Sequence, residues 1–183
     1  MSPCFLLSIC LTTLADPRSA PNALITVSSI PDQETSQKVF VLINVTDIPS
    51  RFNDSLAGLP GNDDSGAMAS FTLFSTIGLF PNPGQNVYFI TPPFFEAVSI
   101  VSPATNKTAT IRNINFDKGY KNVYIQSAKL NGETYSRNWI GHEFFTEGWT
   151  LELVLGSGES DWGTEPGDRP PSMSDERSMK YMG

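Results

Sequence analysis

Two adjacent aspartates, Asp63 and Asp64, stand where a Pro/Gly-rich turn meets an apolar segment, in the stretch GLPGNDDSGAMA that covers residues 58–69. An aspartate at a helix start commonly accepts a backbone N–H hydrogen bond as the N-cap residue. The positive end of the helix also favours the ionised carboxylate, which suits a general base or a cation ligand. Because neighbouring turn residues project differently, the pair has two interpretations. One is a helix cap and the other is a carboxylate that points into a pocket.

Other residues with chemical potential have simpler interpretations. His142 and Glu143 could form an acid/base pair, but a single histidine in a Trp-Ile-Gly-His-Glu turn is typical of a structural role. Cys4 and Cys10 both precede the body of the chain, so a His/Cys metal cluster is excluded. Several aromatic residues could stack on sugars, although their spacing favours a core between helix and sheet. They are Phe71, Phe74, Phe80, Tyr88, Phe89, Phe94 and Phe95.

The elements that must position the aspartates are readable from periodicity. Apolar residues at intervals of three and four predict a helix over 65–77 that ends at Gly78 and buries Met68, Phe71 and Phe74 against a sheet. A shorter helix is predicted over 34–45, although the β-branched residues of this segment also alternate as in a strand. Alternating β-rich runs then predict strands over 86–91, 97–101, 108–112, 123–127 and 149–155. We therefore expect an α+β fold with a small, mostly antiparallel β-sheet or sandwich.

Composition limits the partners and the compartment. The 183 residues contain 12 Lys plus Arg against 19 Asp plus Glu, a net charge of -7 that argues against nucleic acid as a partner. The apolar run of residues 4–14 has the length of a signal-peptide core and is too short to span a bilayer. We therefore expect no stable membrane span and a secreted protein, with a cytosolic one as the alternative. Acceptor triplets for N-glycosylation at Asn44, Asn53 and Asn106 suit secretion.

Three segments resemble glycoside hydrolase family 92, the calcium-dependent, exo-acting α-mannosidases, in order and spacing. Residues 58–100 carry the family's Gly-Asn-Asp-Asp-type turn, helix and strands. Residues 124–132 read YIQSAKLNG, which is similar to the family's YIQSATLNG run. Residues 139–152 resemble its closing helix and strand, with Trp-Ile-Gly-His-Glu followed by Gly-Trp-Thr-Leu-Glu. The resemblance covers residues 37–162, about two thirds of the chain.

This resemblance implies an inverting hydrolase that removes terminal mannose from N-glycan-type α-mannosides. It implies an (α/α) barrel, one or two of whose terminal helices lie in this chain. By position Asp64 would be the general base, with Asp63 in support and Asn62 contacting substrate. Ca²⁺ would assist substrate binding, with unknown ligands mostly outside this chain. Inversion also needs a protonated carboxyl group, and no residue here has the context of the family's acid.

The sequence also departs from the family pattern. The family usually continues Gly-Gln-Met-Ser-Ala-Trp, whereas this chain has Ala67 in place of the glutamine and Phe71 in place of the tryptophan. We therefore expect residues 33–162 to be the carboxy-terminal part of a mannosidase catalytic region, inactive in isolation, whose partner is the missing barrel portion. Residues 1–32 are signal-like or irregular, and residues 163–183 are predicted to be a disordered tail. The alternative is a non-catalytic carbohydrate-binding or assembly module, a pseudoenzyme remnant.

Overall fold

The computed structural model describes residues 51–56, 58–61 and 64–171, and within them it contains two α-helices and eight β-strands. The helices are α1 (Ala67–Ile77) and α2 (Glu143–Glu147). The strands are β1 (Leu79–Pro81), β2 (Tyr88–Ile90), β3 (Ala97–Val101), β4 (Thr108–Ile114), β5 (Tyr124–Leu130), β6 (Glu133–Tyr135), β7 (Trp139–Ile140) and β8 (Thr150–Gly156). The predicted helix over 34–45 and the signal-like segment lie outside the described residues.

The strands form two sheets. A three-stranded sheet has the order β1-β2-β7, with both pairs antiparallel. A five-stranded sheet has the order β3-β4-β8-β5-β6. Its strand pairs are antiparallel except for β4 and β8, which run parallel. The predicted α+β class with mostly antiparallel strands is confirmed, and the parallel pair is an addition that strand periodicity does not reveal.

Strand β8 shows why these residues form a central strand. Its sequence TLELVLG alternates, so Leu151, Leu153 and Leu155 share one face and are all buried. Glu152 and Val154 lie on the opposite, partly exposed face. The same period of two governs the neighbouring strand β4, where the buried positions also alternate. Both strands therefore turn one apolar face towards the core.

One apolar core joins both sheets and α2. The buried cluster contains Leu79, Ile90 and Ile140 from the three-stranded sheet and Phe144, which is fully buried, from α2. From the five-stranded sheet it contains Ala109, Ile111, Ile125, Ala128, Leu151, Leu153 and Leu155. Each sheet therefore packs its apolar face against this shared cluster, which shields the apolar faces of both sheets from water.

Helix α1 docks on the three-stranded sheet as its periodicity predicts. Met68 and Phe71 are buried and Phe74 is partly buried, in a cluster that includes Phe80 of β1. The rings of Phe71 and Phe80 meet edge to face, with centroids 6.0 Å apart. The helix ends at Gly78, whose φ of 83° allows its N–H to bond the carbonyl of Phe74. The predicted helix end and the predicted burial are confirmed.

Residues 163–171 are ordered, although composition assigned them to a disordered tail. A 3₁₀ turn spans Pro166–Asp168, and the carbonyl of Asp168 accepts a hydrogen bond from the Asn138 N–H at 3.2 Å. Just before this segment, the indole N–H of Trp162 donates to the Tyr135 carbonyl at 2.9 Å. The composition-based prediction is wrong over these residues because a few specific hydrogen bonds and one docked indole order a polar segment. Residues 172–183 lie outside the described part of the chain.

The described part of the chain offers no membrane span, since none of its helices combines the length and the apolar character that crossing a bilayer requires.

We predict that Leu153→Ala lowers the free energy of unfolding by about 2–5 kcal/mol, because it removes a fully buried side chain from the centre of the core. The matched control is Leu73→Ala on α1, whose side chain is 57% exposed, and it should change stability by less than about 0.5 kcal/mol. Urea unfolding followed by far-UV circular dichroism measures both. Equal losses in the two variants would contradict the assignment of β8 to the core.

Candidate active site

Asp64 lies on the surface immediately before α1. It is the first residue of a short 3₁₀ turn, Asp64–Gly66, and it is exposed. The next two residues adopt left-handed backbone conformations, Ser65 with φ 57° and Gly66 with φ 74°. A left-handed non-glycine residue is uncommon, and such conformations concentrate at functional sites. The backbone therefore changes direction between Asp64 and the helix.

The N-cap of α1 is Gly66, and no side chain of that residue can accept a backbone hydrogen bond. The prediction that Asp63 or Asp64 is the N-cap residue is wrong. An aspartate would cap the helix if the turn led directly into it. Here two residues with left-handed backbone, Ser65 and Gly66, lie between Asp64 and the start of the helix. Asp64 is thus separated from Ala67, the first helical residue, by Ser65 and Gly66.

Of the three predicted site residues, only Asp64 belongs to the described part of the chain. Asn62 and Asp63 lie outside it. The structure therefore locates one predicted site residue, Asp64, at the start of the 3₁₀ turn before α1. The roles of Asn62 and Asp63 stay predictions.

Residues of the segments 52–56 and 58–61 pack beside the start of α1. The ring of Phe52 lies 6.1 Å from that of Phe71, centroid to centroid. Gly61 has φ 110°, and a Cβ atom at this position would lie 3.1 Å from the sulfur of Met68. Glycine is required there because the backbone both adopts a conformation that L side chains avoid and approaches the helix closely. Phe52 and Gly61 thus both lie close to the apolar face of α1.

The two departures from the family pattern fall on α1. Ala67 is its first residue and is partly buried, so a short methyl group stands where the resemblance implies an amide. Phe71 is buried against Phe80 and Phe52. It therefore fills the core position implied for tryptophan, whereas Ala67 supplies no polar group to the turn.

The described residues contain no cluster of acidic side chains that would mark a calcium site. Calcium takes six to eight oxygen ligands in proteins. Among residues 51–56, 58–61 and 64–171 there is no group of three or more His, Cys, Asp or Glu side chains that could hold a metal ion. Asp64 offers a carboxylate of suitable chemistry, but it does not belong to such a group.

His142 and Glu143 belong to a structural network rather than to an acid/base pair. The ring nitrogen Nδ1 of His142 lies 3.0 Å from the Tyr88 hydroxyl, and the two rings stack with centroids 5.9 Å apart. The carboxylate of Glu143 accepts a hydrogen bond from the Asn86 amide at 3.1 Å. Burial raises the pKa of the Tyr88 hydroxyl, which therefore stays protonated at neutral pH. The network ties α2 to strand β2, in agreement with the structural interpretation.

Asn86 is the residue of this network that sequence reasoning missed. Its Oδ1 also accepts a hydrogen bond from the His142 backbone N–H at 2.7 Å, so one side chain holds both partners across 56 residues of sequence. Asn86 follows a Pro/Gly turn and looks like an ordinary loop residue. A long-range contact of this kind leaves no periodic signal in the sequence.

Two other titration shifts have structural causes outside the candidate site. Backbone N–H groups of Lys121 and Gly119 bond the carboxylate of Asp117 and lower its pKa. Burial raises the pKa of Tyr135, whose hydroxyl donates to the Trp139 carbonyl at 2.7 Å. Both groups close loops of the β-rich region, and neither lies in the turn that carries Asp64.

The aromatic residues that could have stacked on sugars mainly form the interior. Phe71 and Phe80 are buried, and Phe74 and Phe89 are partly buried in the same cluster. Tyr88 is partly buried against the main core and lies 5.1 Å from Phe145, ring centroid to ring centroid. Further along, Phe94 is partly buried beside Tyr120, whereas Phe95 is 46% exposed. The core interpretation is thus the better description of this set.

Comparison with known proteins gives a consistent result. Residues 34–157 match the glycosyl hydrolase family 92 catalytic domain. An uncharacterized secreted glycosidase from Arthroderma benhamiae is 71% identical over 128 residues, which make up 70% of this chain and 17% of that protein. This chain therefore spans about one sixth of the length of that relative.

Solved structures extend the similarity to the fold. A family GH92 α-mannosidase from Bacteroides thetaiotaomicron in complex with mannoimidazole matches with a TM-score of 0.66 and 26% identity, over 75% of this chain and 18% of that one. A family GH92 inverting mannosidase from the same organism matches with a TM-score of 0.67 and 27% identity, over 80% of this chain and 19% of that one.

We predict that Gly66→Ala lowers the free energy of unfolding by about 1–2 kcal/mol, because alanine must adopt the left-handed conformation before α1. Space is not the reason, since a Cβ atom at Gly66 would meet nothing within 4 Å. Gly158→Ala is the matched control, because that glycine is equally unobstructed but has no positive φ. Thermal unfolding measures both. Identical midpoints for the two variants would contradict a strained start of α1.

Proposed function

Because the chain belongs to glycosyl hydrolase family 92, we propose that it is the carboxy-terminal part of an inverting α-mannosidase and that Asp64 is its general base. The match over residues 34–157 supports the glycosidase class. The similarity to two solved mannosidases, one of them described as inverting, supports the choice of sugar and of mechanism.

The single observation that carries the assignment of the base is the position of Asp64. Asp64 is an exposed residue in the 3₁₀ turn immediately before α1, and the N-cap residue of that helix is Gly66. Earlier in the chain, Gly61 lies close to Met68, and the ring of Phe52 packs against that of Phe71. Catalytic residues often lie on loops that a rigid scaffold positions, and the carboxylate of Asp64 could face a substrate that other segments of the enzyme enclose.

The proposed chemistry is direct displacement at the anomeric carbon. The ionised carboxylate of Asp64 accepts a proton from a water molecule, whose oxygen attacks that carbon from the face opposite the leaving group. The glycosidic oxygen takes the bonding electron pair and is protonated by a carboxylic acid contributed by a segment outside the matched residues. Asp63 and Asn62 would assist, Asp63 by supporting the base and Asn62 by contacting the sugar.

The proposed substrates are α-mannosides with an exposed terminal mannose, of the kind found on N-glycans. An α-1,2 linkage is the specific hypothesis. We also propose that the protein is secreted, as the relative from Arthroderma benhamiae is described to be. Such a location would bring the enzyme into contact with mannose-containing glycans.

Calcium assistance is proposed with the ligands supplied mostly by segments outside this chain. The described residues hold no group of three or more candidate side chains for a metal ion, so Asp64 could at most add a carboxylate oxygen to a set that other segments provide. When bound, the ion would help to bind and distort the terminal mannose.

A second candidate function is a non-catalytic carbohydrate-binding or assembly module. The observation that favours it is the start of α1, where Ala67 provides no amide to the pocket and Asp64 is exposed rather than enclosed. In this hypothesis the fold is retained and the turnover is lost. The following experiments separate the two candidates.

We predict that Asp64→Asn lowers kcat by roughly 10²–10⁴-fold in an otherwise complete enzyme, because an amide cannot accept the proton of the attacking water. The complete enzyme is a chimera in which this chain replaces the homologous segment of the Arthroderma benhamiae glycosidase, to which it is 71% identical. Mannose release from an α-1,2-linked mannobiose gives the rate, and proton NMR identifies the first anomer. An inverting enzyme must release β-mannose first.

Asp161→Asn is the matched control for this experiment, since Asp161 is also an exposed aspartate but lies after β8. It should leave kcat unchanged. A chimera that folds but is inactive before any substitution favours the non-catalytic module. Full activity of the Asp64→Asn chimera would refute the assignment of the base, and α-mannose as the first product would refute inversion.

We further predict that the isolated 183-residue chain releases no mannose, with or without added calcium. General acid assistance is typically worth about 10²–10⁴ in rate, and enclosing subsites add further positioning. The assay uses the same mannobiose with calcium or with a chelator. Calcium-dependent turnover that Asp64→Asn abolishes would overturn this prediction and would mean that the acid lies within the chain.

A further inference from the structure

The turn between β3 and β4 carries one of the three acceptor triplets, Asn106-Lys107-Thr108, and displays it on the surface. Asn106 and Thr108 are both exposed. The turn itself is held by backbone hydrogen bonds, from Ser102 N–H to the Lys107 carbonyl and from Asn106 N–H to the Ser102 carbonyl, each at 2.8 Å. A rigid turn thus presents both residues that define the triplet.

The side chain of Lys107, the middle residue of the triplet, reaches α2 and is 49% exposed. The Lys107 ammonium group pairs with the Glu147 carboxylate at 2.6 Å. Gly148 completes this contact, because a Cβ atom there would lie only 2.9 Å from the Cβ of Lys107. With Lys107 engaged in this way, its two neighbours point to the outside of the molecule. Within the described part of the chain, no side-chain hydrogen bond engages the amide of Asn106.

We infer that Asn106 is an N-glycosylation site, modified as the chain enters the secretory pathway. The amide nitrogen of Asn106 would attack C1 of the reducing-end sugar of a lipid diphosphate-linked oligosaccharide. A C–N bond forms while the bond from C1 to the diphosphate oxygen breaks. The lipid diphosphate leaves with the bonding electron pair, and the amide nitrogen loses one proton. The Thr108 hydroxyl is the second recognition element of the acceptor triplet.

The other described triplet is a poorer acceptor on structural grounds. The Oδ1 of Asn53 accepts a hydrogen bond from the Ser55 N–H at 3.0 Å. Its side chain is also crowded, since a Cβ atom at the buried Gly58 would lie 2.8 Å from that oxygen. Phe52, the preceding residue, packs on α1 next to the candidate active site. A glycan is therefore better accommodated at Asn106.

The location of Asn106 also gives the glycan a physical effect. Strand β3 is an edge of the five-stranded sheet, and its last residue, Val101, is 57% exposed. Exposed apolar edge strands promote pairing between molecules. A bulky, hydrated glycan five residues after Val101, at the same end of the strand, would hinder such pairing. Asn106→Gln should therefore aggregate more readily than the glycosylated chain.

The test translates the full chain, fused to an established secretion leader, in a cell-free system that contains microsomes. Only chains that are protected from added protease have entered the lumen, so occupancy is measured on that fraction. Peptide N-glycosidase converts a glycosylated asparagine to aspartate, and mass spectrometry of the peptide locates it. We expect conversion at Asn106, and we expect Asn106→Gln and Thr108→Ala each to abolish it.

Two variants serve as matched controls. Thr108→Ser keeps the acceptor triplet and should keep the glycan. Asn115→Gln removes another exposed, left-handed asparagine, with φ 63°, that is not part of a triplet, and it should change nothing. An unmodified Asn106 in the protected fraction would overturn the inference.

The inference rests on entry into the secretory pathway, which is proposed above, so a second arm uses the native first 32 residues without the added leader. A glycan in the leader-fused chain but no protected chain in this arm would show that residues 1–32 do not act as a signal peptide, and it would leave Asn106 as an acceptor. The catalytic proposal is unaffected by either result, because Asp64 is assayed separately.

Discussion

The burial of one leucine face of β8 is the constraint on which the described structure depends. This strand lies at the centre of the five-stranded sheet, between β4 and β5, and Leu151, Leu153 and Leu155 point into the core shared with the other sheet and α2. Side chains alternate along a strand, so a shift of one residue would expose all three leucines and bury Glu152 and Val154 instead. Burial of this face therefore excludes a one-residue shift of β8 against its neighbours. In the observed register β8 pairs parallel with β4 and antiparallel with β5.

The candidate active site is connected to this core through α1. The helix contributes Ile77 to the main cluster, while Met68 and Phe71 pack with Phe80 in a second cluster near the helix start. Gly78 then reverses the chain directly into β1. Both ends of α1 are therefore packed against the sheet, and the 3₁₀ turn Asp64–Gly66 directly precedes a helix that is held in place. The left-handed backbone of Ser65 costs about 1–3 kcal/mol, because Ser65 is not a glycine. The packing of α1 can compensate for this cost.

Sequence patterns predicted the elements whose signal is local. The strand over 97–101 was predicted with the bounds that the structure gives, and α1 was predicted to within two residues, because alternation and helical periodicity are strong there. Short strands such as β1 and β7 span only three and two residues, too few for any period to be visible. The parallel β4–β8 pair and the hydrogen bonds of Asn86 join residues far apart in sequence, and a local pattern holds no information on them.

The site was predicted less completely than the fold for a related reason. A helix cap is a local decision, and the Asp63-Asp64 pair favoured one, but glycine at position 66 allowed the chain to turn once more before the helix began. What remains at Asp64 is a carboxylate on a supported, exposed turn. Hydrolysis with inversion requires one ionised and one protonated carboxyl group at the same pH, which demands two different environments around one sugar. In the proposed mechanism the base lies on this turn, and the acid and the walls that enclose the sugar would come from other segments of the complete enzyme.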